Sequence, residues 1–335
     1  MILQHRIDWL GKLGNYMLCN EGAWEEAKHK AFMENSWFTP EFIDVAVKNI
    51  VESFLDHDKL VEWATHYNLQ PGDNVSPANR TVGIVMAGNI PLVGFHDLIS
   101  VFISGHKSAI KTSSKDSVLI KHLVTTLMNW APQIGERIRF AEMLKACSAF
   151  IATGSNNTSR YFEYYFGKYP HIIRRNKTSV AILNGDEHAE ELRKLADDVY
   201  QFFGLGCRNV TKIYVPEKYD FKPLLSAFTK YSYLADHQKY RNNYDYNLAV
   251  QILSNRFYMT NGSIVLTEGV SIFSPISQLN YQYYADLNSL VSSLFDNPEL
   301  QCIVGRDHIP FGQAQSPTLL DYANKVDTMA FLNSL

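Results

Sequence analysis

The chain has 335 residues, enough to bury a sizeable core and, at about 150 residues per domain, to form about two domains. Its 31 Lys and Arg against 34 Asp and Glu leave a net charge of −3, which favours neither nucleic acid nor an anionic membrane as partner; a small molecule or another protein is expected. The four cysteines, at 19, 147, 207 and 302, lack Cys-x-x-Cys spacing and spaced histidines, so no metal site is expected; without a signal-like N-terminus or an apolar run of about 18 residues, the expected location is cytoplasmic, with reduced thiols.

Residues 1 to about 70 read as helical, because apolar side chains recur at three- and four-residue intervals from Phe42 to Val51 and again at Phe54. Pro71-Gly72-Asp73-Asn74 and Ser76-Pro77 interrupt that pattern. A short apolar run at 81–86 then suits a strand buried inside a parallel sheet. A helix over 94–104, a strand over 108–111, a helix over 117–130 and strands over 138–141 and 149–153 alternate as in an α/β nucleotide-binding domain, followed by a helix through Arg160-Tyr161-Phe162. Beyond position 207 a second unit is expected, with strands over 211–215, 248–253, 263–267 and 301–304 and a helix over 222–230.

Within this frame Cys207 stands out, since Gly204 and Gly206 let the backbone beside it pass close to a ligand, which a purely structural thiol does not require. Arg208 is next to it, although neighbours along a strand point apart. Asn89 follows the 81–86 strand, where its amide either aims an N–H at a developing oxyanion or simply forms a Gly-Asn turn. Thr153-Gly154-Ser155 precedes a helix, so either helix N–H groups face a phosphate or Ser155 is only an N-cap.

Taken in order, Gly88-Asn89-Ile90-Pro91-Leu92, the stretch from Gly105 to Ser113, Ala152-Thr153-Gly154-Ser155, Cys207 and Pro310-Phe311-Gly312 resemble the motif run of the aldehyde dehydrogenase superfamily. That run is Asn-x-Pro-Leu, Gly-Asn-x-x-Val-x-Lys-Pro-Ser, Thr-Gly-Ser, Gly-x-x-Cys and Pro-Phe-Gly. The likeness covers about residue 81 to the C-terminus and is nearest to the acyl-CoA reductases of the bacterial bioluminescence type. It implies an α/β, aldehyde dehydrogenase-like fold: two α/β domains with parallel-rich sheets and an N-terminal helical segment. The divisions expected are a helical segment at 1–78 packing on the cofactor domain, a Rossmann-like cofactor domain at 79–176, a catalytic domain at 177–310 and a C-terminal segment at 311–335.

The resemblance makes Cys207 the nucleophile, with Asn89 and the backbone N–H of Cys207 holding the oxyanion. Lys111 is then expected to contact the adenosine ribose, Ser113, Thr153, Gly154 and Ser155 to line the cofactor, and Phe273 to lie beside the nicotinamide. Three departures refine this. Ser114, followed by Lys115, stands where a ribose-binding glutamate is usual, and Ser271 replaces a second such glutamate; losing carboxylates near a 2′-phosphate favours NADP(H) over NAD(H). Ser159 replaces the second glycine of the Thr-Gly-Ser turn. Ile173, beside Arg174 and Arg175, aligns with the glutamate that activates hydrolytic water in aldehyde-oxidising members, and isoleucine accepts no proton.

Without that base, transfer to or from another thiol is favoured over hydrolysis. The expected function is therefore reduction of an acyl-CoA, a fatty acyl-CoA in the bioluminescence type, to an aldehyde through a thioacyl-cysteine. The resemblance also implies an acyl-protein synthetase as partner and leaves a homo-oligomer open. The rival expectations are oxidation of an aldehyde or semialdehyde to an acid, and a catalytically degenerate binding protein of the same fold.

Overall fold

The computed structural model describes residues 1–19, 22–70, 72 and 79–335. The break expected over 71–77 falls, apart from Gly72, outside the described residues. The chain divides into two compact units, Met1–Asn176 with Ser316–Leu335, and Lys177–Gln315.

The first unit begins with helices α1 (Leu3–Leu18), α2 (Gly22–Glu34), α3 (Pro40–Phe54) and α4 (His57–His66). Thr39 caps α3 by accepting the Phe42 N–H, with Pro40 in its first turn, and Asp56 caps α4 through the Lys59 N–H. One face of α1, carrying Leu3, Ile7, Leu10, Leu13 and Met17, is buried.

An alternating region follows: β1 (Thr81–Val85), α5 (Phe95–Ile103), β2 (Lys107–Lys111), α6 (Val118–Trp130), β3 (Ile138–Phe140), β4 (Ala149–Thr153), α7 (Asn156–Phe166) and β5 (His171–Arg174). The strands form one sheet in the order β3-β2-β1-β4-β5, with every pairing parallel. Burial on both faces explains why its central strands read as unbroken apolar runs. The N-terminal helices pack on this unit, α1 against α5 and α2 against α6. Residues 316–335 complete it: Tyr322 accepts the Trp63 indole N–H at 2.9 Å and donates to Tyr67, whose hydroxyl donates to Asp327.

The second unit comprises β6 (Thr178–Ile182), α8 (Ala189–Tyr200), β7 (Val210–Pro216), α9 (Phe221–Ala227), α10 (Gln238–Leu253), β8 (Met259–Thr260), β9 (Val265–Glu268), β10 (Gln278–Tyr284), α11 (Leu287–Phe295) and β11 (Leu300–Val304). Its sheet runs β11-β6-β7-β10-β9-β8 and is parallel except for the β8–β9 pair. The last helix of the chain, α12 (Thr328–Asn333), belongs to the first unit and packs on α5.

The strand expected over 248–253 is instead the last part of α10. The buried face of that helix is Tyr240, Tyr244, Asn247 and Gln251, a helical spacing of polar and aromatic residues, whereas Ile252 and Leu253 are exposed. A short apolar run does not by itself distinguish helix from strand. No described helix is long and apolar enough to cross a membrane.

Candidate functional site

In the first unit, Asn89, Lys111, Ser113, Ser114 and Thr153–Ser155 all lie at or beyond the ends of three adjacent strands, β1, β2 and β4. Because Val85 is in register with both Lys111 and Ala152, these residues gather at one carboxyl edge, where open parallel sheets take ligands.

The Asn89 corner is tightly clamped. A Cβ on Gly88 would lie 2.6 Å from Ser113 Cβ and Oγ, so only glycine lets the two loops meet. Leu92 adopts a left-handed φ of 59°, and its N–H donates to Asp116 Oδ2 at 2.7 Å. Burial pushes the Asp116 carboxyl up to about 7. Asn89, Lys111 and Ser114 are exposed, while Ser113 is half-buried and accepts the Lys115 N–H.

Ser155 is the N-cap of α7, accepting the Thr158 N–H at 3.2 Å. Gly154 packs so closely on α7 that a Cβ would meet Phe162 at 2.9 Å, and the buried Ser159 donates to the Asn156 carbonyl. Ile173 is half-buried on β5; of its neighbours, Arg174 pairs with Asp97 and Arg175 with Glu163.

In the second unit Cys207 is half-buried in a turn that precedes β7. The strand-alternation argument therefore does not apply to Cys207 and Arg208. The chain enters this turn through three successive left-handed residues, Phe202 (φ 55°), Phe203 (57°) and Gly204 (73°). Two bulky residues in that region are strained, and the burial of both rings holds them there.

Asn209, fully buried, braces the turn: its Oδ1 accepts the Gly206 N–H at 2.8 Å, and its Nδ2 donates to the carbonyls of Asp198 (3.0 Å) and Gln201 (2.9 Å). Ser179 of β6, also fully buried, donates to the Cys207 carbonyl at 3.1 Å, and its Oγ lies 3.0 Å from the Cys302 sulfur. Burial pushes the Cys302 thiol up. Asp198 binds the Pro-Phe-Gly turn to the end of α8, accepting from Gly312 N–H (2.6 Å) and Ala314 N–H (3.0 Å). Burial raises its carboxyl to about 7.

Phe273 is half-buried between β9 and β10, packed on the cluster of Val180, Ile182, Tyr214 and Ile272. Its loop is fixed by bonds from Thr211 Oγ1 to the Ile272 carbonyl, from Asn280 Nδ2 to the Ser271 and Phe273 carbonyls, and from Lys212 Nζ to the Val270 carbonyl. The Ser271 hydroxyl closes its own turn on Phe273. Lys212 is fully buried and donates to neutral oxygens, and burial lowers it to about 8.

Sequence reasoning missed Asp116, Ser179, Asp198, Asn209, Lys212 and Cys302 as site supports. A lysine immediately before the apolar run Ile213-Tyr214-Val215 and an asparagine two places after the thiol were the legible signals. Among the described residues no group of three or more His, Cys, Asp or Glu side chains is arranged to hold a metal.

No family model matches the sequence, and no curated protein does. Solved structures do share its fold. Aldehyde dehydrogenase 21 from Physcomitrella patens, in complex with succinate, matches 92% of this chain and 74% of its own at 13% identity and a TM-score of 0.64. An aldehyde dehydrogenase from Bacillus cereus matches 91% of this chain and 72% of its own at 12% identity and 0.65. An indole-3-acetaldehyde dehydrogenase from P. syringae, in complex with NAD+, matches 89% and 70% at 12% identity and 0.64. The α/β architecture with parallel-rich sheets is thus the aldehyde dehydrogenase-like fold.

Proposed function

We propose that this chain is an NADPH-dependent acyl-CoA reductase that forms an aldehyde through a thioacyl group on Cys207. The observation that carries the reading is Ile173: a hydrocarbon side chain occupies the place on β5 where the resemblance puts the water-activating glutamate. An acyl group on Cys207 is then better removed by reduction, or returned to a thiol, than hydrolysed.

In this mechanism the Cys207 thiolate attacks the thioester carbonyl, its own N–H and, as the resemblance implies, the Asn89 amide serve as oxyanion donors, and the coenzyme A thiolate departs. The carboxyl edge of the first unit fits a nicotinamide dinucleotide phosphate. Lys111, Ser113, Ser114 and Lys115 offer cations and hydroxyls, the Asp116 carboxyl at this corner is buried against the Leu92 N–H, and Gly88 keeps the corner narrow. With the Ser155 hydroxyl engaged in capping α7, the pyrophosphate falls to backbone N–H groups of the turn beginning at Thr153-Gly154. Phe273 is assigned to the nicotinamide face. When bound, the cofactor supplies the hydride. An acyl-protein synthetase as acyl donor is part of the same proposal.

The test is a reductase assay over acyl-CoA chain lengths with NADPH and NADH in parallel. Aldehyde and free coenzyme A should appear together, faster with NADPH. Steady NADP+-dependent acid formation from an aldehyde, without added thiol, would instead make the chain a dehydrogenase. Failure of calorimetry to detect either NADPH or acyl-CoA binding would make it a binding protein.

A further inference from the structure

We infer that Ser179 and Asn209 are positioning residues for Cys207, which together aim its backbone N–H as an oxyanion donor; the inference rests on the reading of Cys207 as the nucleophile. The Gly206 carbonyl accepts the Asn209 backbone N–H at 3.1 Å. Among the described residues no peptide bond is cis, so the Cys207 N–H, on the opposite side of the same planar unit, points away from Asn209. The Asn209 side chain also grips the Gly206 N–H, so one residue fixes the peptides on both sides of Gly206.

Beyond the thiol, the Cys207 carbonyl is held by Ser179. A serine hydroxyl has one proton and two lone pairs, and here all three are engaged. The proton goes to the Cys207 carbonyl, one lone pair takes the Cys302 N–H at 3.2 Å, and the other faces the Cys302 sulfur, which is therefore the donor in that contact. Both peptides flanking Cys207 are thus hydrogen-bonded, one to Asn209 and the other to Ser179. Preorganised donors matter only where an oxyanion forms.

Two reactions of one thiol separate positioning from mere integrity. Attack of Cys207 on p-nitrophenyl acetate builds an oxyanion and expels nitrophenolate; alkylation by iodoacetamide expels iodide and builds none. Both are read at Cys207 by peptide mass spectrometry. In Ser179→Ala the ratio of acylation rate to alkylation rate should fall about tenfold or more, since small misplacements of catalytic groups are costly. Ser179→Thr, which keeps the hydroxyl, should restore it. An unchanged ratio in Ser179→Ala overturns the inference. Should Ser179→Ala not fold, Ser179→Cys, which replaces the hydroxyl by a weaker donor of similar shape, is read in the same way. A wild type that is alkylated at Cys207 but never acylated there overturns the nucleophile reading itself, and the inference with it.

Discussion

Raising the pH across neutrality should weaken the protein through Asp198, whose side chain is fully buried and whose carboxyl rises from 3.8 to about 7, chiefly through burial. The folded state retains a proton that the unfolded chain releases near its ordinary value. The stabilisation is therefore complete below about pH 4 and is lost as the pH climbs through about 7. Between pH 5 and 8 the loss amounts to about 2.5 kcal/mol. Asp198→Asn removes this titration. Its amide can accept only one of the two N–H groups of Gly312 and Ala314, a cost of about 1–3 kcal/mol that is the same at every pH. Urea unfolding of both proteins at pH 5 and pH 8 isolates the effect, because Asp116, which titrates over the same range, is common to the two. The margin of wild type over variant should be larger at pH 5 by about 2.5 kcal/mol. A margin independent of pH would refute burial as the cause.

Asn209→Ala strands a buried N–H and two carbonyls, and should cost about 3–6 kcal/mol, a large part of the stability of most domains; a loss below about 1 kcal/mol in thermal or urea unfolding would contradict its bracing role. Gly88→Ala drives a Cβ into Ser113, whose hydroxyl is tied to the Lys115 N–H. It should destabilise by about 1–3 kcal/mol and weaken NADPH binding in a fluorescence titration, and unchanged values of both would show that the corner yields freely.

The strands of the first unit were legible because a parallel sheet buries both faces, so 81–86 and 149–153 appear as short apolar runs punctuated by turn residues. The motifs beyond β1, β2 and β4 could be found in chain order, but that they share one edge follows from the strand order 3-2-1-4-5, which no local pattern states. α10 was misread at 248–253 because its buried face is made of Tyr, Asn and Gln while its apolar tail is exposed. The supports of Cys207 were hidden for a different reason. Ser179 and Cys302 are 123 positions apart and meet only because β6 and β11 pair, and nothing in the sequence says that Phe202 and Phe203 take left-handed backbone.

Mixing the protein with acyl-CoA in the absence of cofactor gives the most direct measurement. Coenzyme A should be released in a burst of about one equivalent and then stop, with the acyl group found on Cys207 by mass spectrometry; NADPH should then restart release and yield aldehyde. Continuous coenzyme A release with free acid accumulating, or an acyl group on another residue, would contradict a thioacyl-Cys207 that lacks a hydrolytic base.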